Sequence, residues 1–470
     1  MKPTFVAVLA CVGVGTFMSR LDAYIVSVAL PSMGEVFGRD MGAMSGVMLF
    51  YLLALASSML IIGSLGDRFG LRRTILAGYG LFSAMSLLCS LTPGLDMLIA
   101  ARFLQGLGAA LLLVASYSLV PTFIKAKRVG SAIGMMNMVG SLGVLLGAPL
   151  GGVMTQWLGW ESVFLVNVPL GLTAMGLCWH TLPPDSVCRT GRPAFDWLGA
   201  LLSMAGLWGV VLGLDLLRKA DSATSAAMWG ATGIACLIAF VWHERRIAAP
   251  LVDLDLFMNP VFSYALLAKV FAFIQMSIQG YVMPFYLDWS RGYTTQGTGA
   301  VLAIFPVILS IVAPYAGRLS DRNEGGVPLP VLTTLGMTGS VLASGFFVMT
   351  LDLDANWPTC VFLALSGLSY AFFLSPNAKL ILTNMPERSR AVGTSIFTTA
   401  TNVGMAIGVP LAVLMFHLAG GESITAQNVD NLKGFKSVYT ANALCGLVAA
   451  GFALASLRGS YRRQKTHGKS

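Results

Sequence analysis

The sequence predicts an all-α polytopic membrane protein, and three observations lead there. Of its 470 residues 56% are hydrophobic. Only 11% are charged, where a soluble domain carries roughly 25%. The mean hydropathy is +0.75. The shortage of charge runs the length of the chain, so no stretch is left from which a separate soluble domain could be built. The net charge of +9 comes from Lys and Arg in short loops and in the tail. Placed there, it reads as a determinant of membrane topology and not as a nucleic-acid surface.

A membrane span needs roughly 20 apolar residues, and fourteen runs qualify. The first six are Phe5–Pro31, Ala43–Gly63, Thr74–Thr92, Met97–Leu119, Ser131–Gln156 and Ser162–Leu182. Two central ones follow, Trp197–Leu216 and Ser225–His243. The last six are Val261–Leu287, Thr298–Gly317, Pro328–Thr350, Trp357–Leu382, Val392–His417 and Ser437–Leu457. The first run is too long for a signal-peptide core and lacks a small-residue cleavage site, so it is read as a retained span. An even number of spans puts both termini on one side. The excess of Lys and Arg in the alternate loops and in the tail from Arg458 to Lys469 puts that side in the cytoplasm.

Between the second and third runs lies Gly63-Ser-Leu-Gly66-Asp67-Arg68-Phe-Gly70-Leu-Arg72-Arg73. Glycines that permit sharp turns and arginines that stay in the cytoplasm predict a tight charged loop, with Asp67 placed to cap the next helix. Gly317-Arg-Leu-Ser-Asp321-Arg322 repeats its Gly-x-Leu-x-Asp-Arg core. The offset, 317 minus 63, is 254 residues, or eight spans at roughly 32 residues each. The pattern resembles the loop signature of the major facilitator superfamily. That resemblance implies two parallel six-helix halves, with a gating role for the loops at Gly63 to Arg73 and at Gly317, Asp321 and Arg322. Two extra central helices complete fourteen spans. The expected division is 1–182 for the first half, 183–248 for the central pair and 249–470 for the second half with its basic tail.

Asp22 is the most informative residue. It stands in Arg20-Leu-Asp22-Ala-Tyr24-Ile-Val-Ser27-Val-Ala-Leu-Pro31, well inside the first span. A charge at mid-span costs about 2.5–3.5 kcal/mol, so it should face a polar interior, and an acid held there can take up and release a proton. The alternative is a purely structural carboxylate. Arg102 in the fourth span is the natural counter-charge, with Gln105 three residues on and therefore on the same helix face; the alternative for Arg102 is a snorkelling side chain. Arg20, two residues from Asp22, points about 200° away around the helix and is not its partner. The segment resembles the first-span signature of the fourteen-span drug:proton antiporters, from which it departs at Tyr24 and Ser27 and in carrying Arg20. Arg102-Phe-Leu-Gln105-Gly resembles the family's fourth-span signature, whose arginine is linked to proton transfer.

The fifth span carries Gly143, Gly147, Pro149, Gly151 and Gly152. Glycines at four-residue spacing let helices pack closely, and the stretch resembles the antiporter motif of exporters. Trp160-Glu161-Ser-Val-Phe164-Leu-Val-Asn167-Val-Pro169-Leu-Gly171 and Pro250-Leu-Val-Asp253-Leu-Asp255-Leu-Phe257 resemble elements of the same subgroup, and the second reads by itself as a short interfacial segment. Residues that could line a substrate cavity are Arg20, Tyr24, Gln105, Lys269, Gln275, Gln279 and Asn402, and Tyr51, Tyr281, Tyr286 and Tyr315 could stack on a flat substrate. No enzyme site, phosphate loop, cofactor motif or metal-ligand spacing emerges. The expected function is a proton-coupled efflux antiporter of small amphipathic or drug-like compounds in a bacterial inner membrane. Its expected partners are substrate, protons and lipid, with an outer adaptor protein left open. The alternatives are an exporter or importer of one endogenous metabolite or lipid-like substrate, or a membrane sensor that does not transport.

Overall fold

The computed structural model describes residues 5–124, 126–185, 195–218, 222–247, 250–321, 327–385, 390–420 and 429–467. The side chains at 60, 64–68, 126, 127, 130, 321, 390–395, 429, 430 and 460–467 lie outside that description. So does much of the basic tail, together with the gating candidates Gly66, Asp67, Arg68 and Asp321 beyond their helical backbone, and Arg322 entirely.

Among the described residues the chain is helical and has no strand. The first helices are α1 (Phe5–Phe37), α2 (Met41–Phe69), α3 (Leu71–Ser90), α4 (Leu95–Phe123) and α5 (Ala126–Leu158). The sixth span is broken at Val166 into α6 (Ser162–Leu165) and α7 (Asn167–Thr181). The central pair is α8 (Trp197–Leu216) and α9 (Ala223–Glu244). The ninth span is α10 (Pro260–Phe285) ending in a π turn at Tyr286–Ser290. The tenth is split into α11 (Thr295–Leu302) and α12 (Ile304–Asp321). The last are α13 (Leu329–Thr350), α14 (Trp357–Thr383), α15 (Arg390–Leu418) and α16 (Val429–His467).

Among the described residues thirteen helices are long and apolar enough to cross a membrane. The expected fourteenth, α3, misses on composition because Arg72 and Arg73 occupy its first turn. It nevertheless packs between α4 and α7, as a span would. The protein is an integral membrane protein. Its chain forms two compact units. The first comprises residues 1–208, 235–237 and 287–303; in it α1 lies against α5, α4 and α7, α2 against α4, and α11 against α5. The second comprises 209–234, 238–286 and 304–470; in it α10 lies against α15 and α16, α13 against α14 and α16, and α12 against α14.

The tight loop expected at Gly63–Arg73 is a helix for most of its length. α2 runs on to Phe69, and the turn is confined to Gly70, whose φ of 97° suits glycine. A long membrane helix can continue past the bilayer on its own backbone hydrogen bonds, so polar residues there need not form a loop. The side chain of Asp67, expected to cap α3, lies outside the described residues, and a described carboxylate reaches this helix end. The Arg72 and Arg73 N–H groups donate to the two carboxylate oxygens of Asp185, each at 3.0 Å. The Arg72 side chain donates to Trp179 O at 2.7 Å and lies 4.9 Å over the Trp179 ring. Asp185 thus places negative charge on the positive end of α3 and ties it to the end of the sixth span. A Cβ at Gly70 would collide with that carboxylate.

The acidic stretch at Pro250–Phe257 leads into α10 through a 3-10 turn at Leu254–Met258. The buried Glu244 accepts from Val252 N–H at 3.1 Å, and Asn259 caps α10 by accepting from Val261 N–H at 3.2 Å. We expect Asp185→Ala to destabilise the protein by about 1 kcal/mol through loss of the α3 cap, read as a lower melting temperature in detergent, with Asp185→Asn milder. Unchanged melting of the alanine variant would show that the cap contributes nothing.

A candidate proton site

Asp22 lies 17 residues from one end of α1 and 15 from the other, or about 25 Å and about 22 Å along the helix. Its side chain exposes no surface, and neither does that of Arg102. The two form an ion pair with Arg102 Nη1 2.5 Å from Asp22 Oδ2. Gln105 and Asn167 each donate an amide N–H to Asp22 Oδ1, at 3.0 and 2.9 Å. Asp22 therefore holds donors from α4 and α7 while sitting on α1.

Arg102 is bound as tightly. Its Nη1 also donates to Gln105 Oε1 at 2.7 Å, and its Nε donates to Val47 O of α2 at 3.2 Å. The Tyr51 ring lies 4.1 Å from the guanidinium and the Phe164 ring 5.7 Å, both within reach of a cation–π attraction. Gln105 is anchored in turn on Ser86 of α3 by an Nε2–H bond of 2.7 Å. Two polar atoms of the cluster, Arg102 Nη2 and Asn167 Oδ1, are buried without a hydrogen bond.

The donor set suits an acid that changes protonation. A carboxylate only accepts, whereas a carboxylic acid must also donate. Gln105 and Asn167 are amides, with an acceptor as well as donors, and rotation about the last bond exchanges the two. Asn167 Oδ1, unpartnered next to Asp22, is then available for the acid proton. Arg102 has no such alternative and binds only the charged form well.

Of the sequence candidates, Asp22, Arg102 and Gln105 converge in this cluster. Asn167 and Ser86 complete it, although sequence reasoning gave neither a role. The available signal was an asparagine and a serine inside apolar runs. Tyr51 is the floor under Arg102 and not a free stacking surface.

The glycines of α5 seat α1. A Cβ at Gly143 would stand 2.6 Å from Phe17 O, one at Gly147 2.6 Å from Tyr24 Cβ, and one at Gly151 2.7 Å from Ile25 O. Gly152 faces α11 instead, with Thr295 O 2.6 Å from its would-be Cβ. Pro149 lies within the helix between them. Arg20 and Tyr24 lie on the side of α1 that meets this ridge and are partly exposed.

The second unit holds a neutral counterpart. The repeat offset of 254 carries Ser86 onto Ser340, since 86 plus 254 is 340, and carries Asp22 to within one residue of Gln275. Gln275 Oε1 accepts from Ser340 at 2.9 Å and from Tyr370 at 3.2 Å, and Asn442 Nδ2–H donates to Gln275 O at 2.8 Å. Gln275 is thereby locked into packing between helices. Gln279 and Asn402 are buried, and Asn402 donates to Thr398 O at 3.1 Å. Lys269 is buried with Nζ 2.9 Å above the Phe397 ring. Lys379 donates to Ser320 O at 2.6 Å near the end of α12, which also carries Gly317. Tyr281 and Tyr286 pack in aromatic clusters, and Tyr315 is exposed. Among the described residues no group of His, Cys, Asp and Glu is arranged to hold a metal ion.

The family model described as "Major Facilitator Superfamily" matches residues 12–350 and 265–470. The chain is 29% identical over 441 residues to the riboflavin transporter RibZ of Clostridioides difficile, covering 92% of this chain and 90% of that protein. It is 31% identical over 436 residues to the multidrug resistance protein Stp of Mycobacterium tuberculosis, covering 91% and 78%. A solved bacterial homologue of the human lysosomal transporter Spinster, in an inward-facing and unoccupied conformation, superposes with a TM-score of 0.71 at 14% identity, covering 98% of each chain. These relatives are transporters and not enzymes.

Removing one member of a buried pair leaves the other charge uncompensated. Arg102→Met should cost about 3–5 kcal/mol, and adding Asp22→Asn should restore part of it. Thermal unfolding of the two variants checks this; a double variant no more stable than Arg102→Met would show that the two charges do not depend on each other.

Proposed function

Because the chain belongs to the major facilitator superfamily, we propose that it is a proton-coupled antiporter that exports small amphipathic or drug-like compounds by alternating access. The observation that carries this reading is the fully buried Asp22–Arg102 pair ringed by two amides. The proposed setting is a bacterial inner membrane with both termini in the cytoplasm, supported by the Lys and Arg excess on that side. The working parts are a first half over residues 1–182, a central pair over 183–248 and a second half over 249–470.

In the proposed cycle substrate enters from the cytoplasm while Asp22 is charged and paired with Arg102. Asp22 exposes no surface in the described conformation, so protonation requires the helices around it to part. Outward opening admits a proton, and neutral Asp22 releases Arg102 and turns its O–H to an amide oxygen. Loss of the charge-assisted bond makes the outward form easier to leave. Return to the cytoplasmic side restores the pair and expels the proton inward. The helix ends around Gly63 to Arg73, and around Gly317, Asp321 and Arg322, act as latches on the inner side. The glycines of α5 supply a close-packed surface on which α1 can shift.

A second reading, a carrier for one endogenous metabolite, is favoured by the similarity to a protein named a riboflavin transporter. Inverted vesicles supplied with ethidium, fluorescein or riboflavin separate the two. Uptake of chemically unrelated dyes under an imposed pH gradient supports the broad exporter, and uptake of one compound supports the carrier. In the same vesicles Asp22→Asn should lower gradient-driven accumulation at least tenfold while equilibrium binding persists. Accumulation against a gradient at the wild-type rate would remove Asp22 as the coupling site.

A further inference from the structure

Arg20 is a second charge in the middle of α1, and the proton site does not use it. It lies 15 residues from the start of the helix, about 22 Å along the axis, too deep for its side chain to reach water at the membrane surface. Asp22 is not its partner, because that carboxylate faces the other way and is committed to Arg102, Gln105 and Asn167. Among the described residues no group forms a hydrogen bond or ion pair with Arg20. Its backbone side is fixed against α5, where a Cβ at Gly143 would meet Arg20 Cβ at 3.3 Å and one at Gly140 would meet Arg20 Cγ at 3.6 Å. The residue as a whole is partly exposed.

The surroundings are aromatic and phenolic. Arg20 is near enough to Tyr24, Tyr51 and Tyr117 to interact electrostatically with each hydroxyl. Tyr117 is steadied by donating to Asn137 Oδ1 of α5 at 3.3 Å. An unpaired cation at this depth costs about 2.5–3.5 kcal/mol, and no described carboxylate offsets it. A ligand anion would. A guanidinium binds a carboxylate through two parallel N–H bonds, and tyrosines offer flat faces and hydroxyl donors to a ring system.

We propose that Arg20, with Tyr24 and Tyr117, forms an anion-recognition site that selects planar aromatic carboxylates as substrates. This rests on the transporter reading above and names its substrate class. Tyr51 lies between this site and the proton site, because its ring lies 4.1 Å from the Arg102 guanidinium while its hydroxyl also feels the charge of Arg20. An anion arriving at Arg20 is therefore felt beside the Asp22–Arg102 pair.

The test uses full-length protein in lipid nanodiscs, without a pH gradient, and two xanthene dyes of like shape and opposite charge. Binding of fluorescein, an aromatic carboxylate, and of rhodamine 123, a cation, is followed by fluorescence anisotropy at pH 8. Wild type should bind fluorescein more tightly than rhodamine 123. Arg20→Gln should weaken fluorescein binding at least tenfold and leave rhodamine 123 within twofold or tighter, while Arg20→Lys should retain part of the fluorescein affinity. Monodisperse elution of both variants establishes that they fold. Wild-type preference for rhodamine 123, or fluorescein binding by Arg20→Gln within twofold of wild type, overturns the proposal. A failure of coupling in Asp22→Asn vesicles would not touch this result, and gradient-driven transport of rhodamine 123 alone would sink it while leaving the proton site standing.

Discussion

The structure of the first unit depends on removing two opposite charges from water at the same point. A buried ion pair does not stabilise by itself, because desolvating each ion costs several kcal/mol and the attraction offsets this only with good geometry and further hydrogen bonds. Here those further bonds recruit most helices of the unit. Asp22 brings in α4 and α7, Arg102 brings in α2 through Val47 O and stacks on Tyr51 and Phe164, and Gln105 brings in α3 through Ser86. The remaining long helix, α5, contributes by absence of side chains, since its glycines admit the α1 backbone. A displacement of any one of these helices disturbs the compensation of both charges.

The second unit shows that such packing does not require the charges. At the repeat-related position Gln275 joins Ser340, Ser344, Tyr370 and Asn442 in a network of neutral donors and acceptors. Neutral groups cost less to bury and satisfy one another equally well. The same kind of helix bundle is thus held together in one chain by two chemistries, of which one is costlier. Retention of the costlier one in the first unit is hard to attribute to packing. It supports a role in which the charge changes during the working cycle, and it concentrates that role on Asp22.

The sequence made the spans legible because apolar runs of bilayer length have few other uses, and it made Asp22 and Arg102 legible because charge inside such runs is costly. Gln105 followed from its three-residue spacing on one helix. Asn167 and Ser86 could not be found in that way. Their contacts cross from one helix to another over 145 and 19 residues, and an isolated asparagine or serine in an apolar run leaves no periodic trace. Asp185 was hidden for the same reason, lying 113 residues from the helix end it caps. The Gly63–Gly70 stretch was misjudged because loop-like composition and loop geometry part company where a membrane helix runs on past the bilayer. Only Gly70, with its positive φ, had to be a turn.

α1 unites these features in one rigid element. One side presents Asp22 to the interior of the unit, and the other sets Arg20 and Tyr24 beside the glycine ridge of α5. Residues two apart on a helix point to different sides of it, but they cannot move independently, since a helix translates and rotates as a unit. A shift of α1 along the glycine ridge that loosens Asp22 from Arg102 must also change what Arg20 meets. Conversely, an occupant that fixes Arg20 biases the position in which Asp22 holds its pair. Coupling between proton and substrate then needs no long relay of side chains. It needs a stiff helix with two differently charged faces, on a surface smooth enough to allow it two positions.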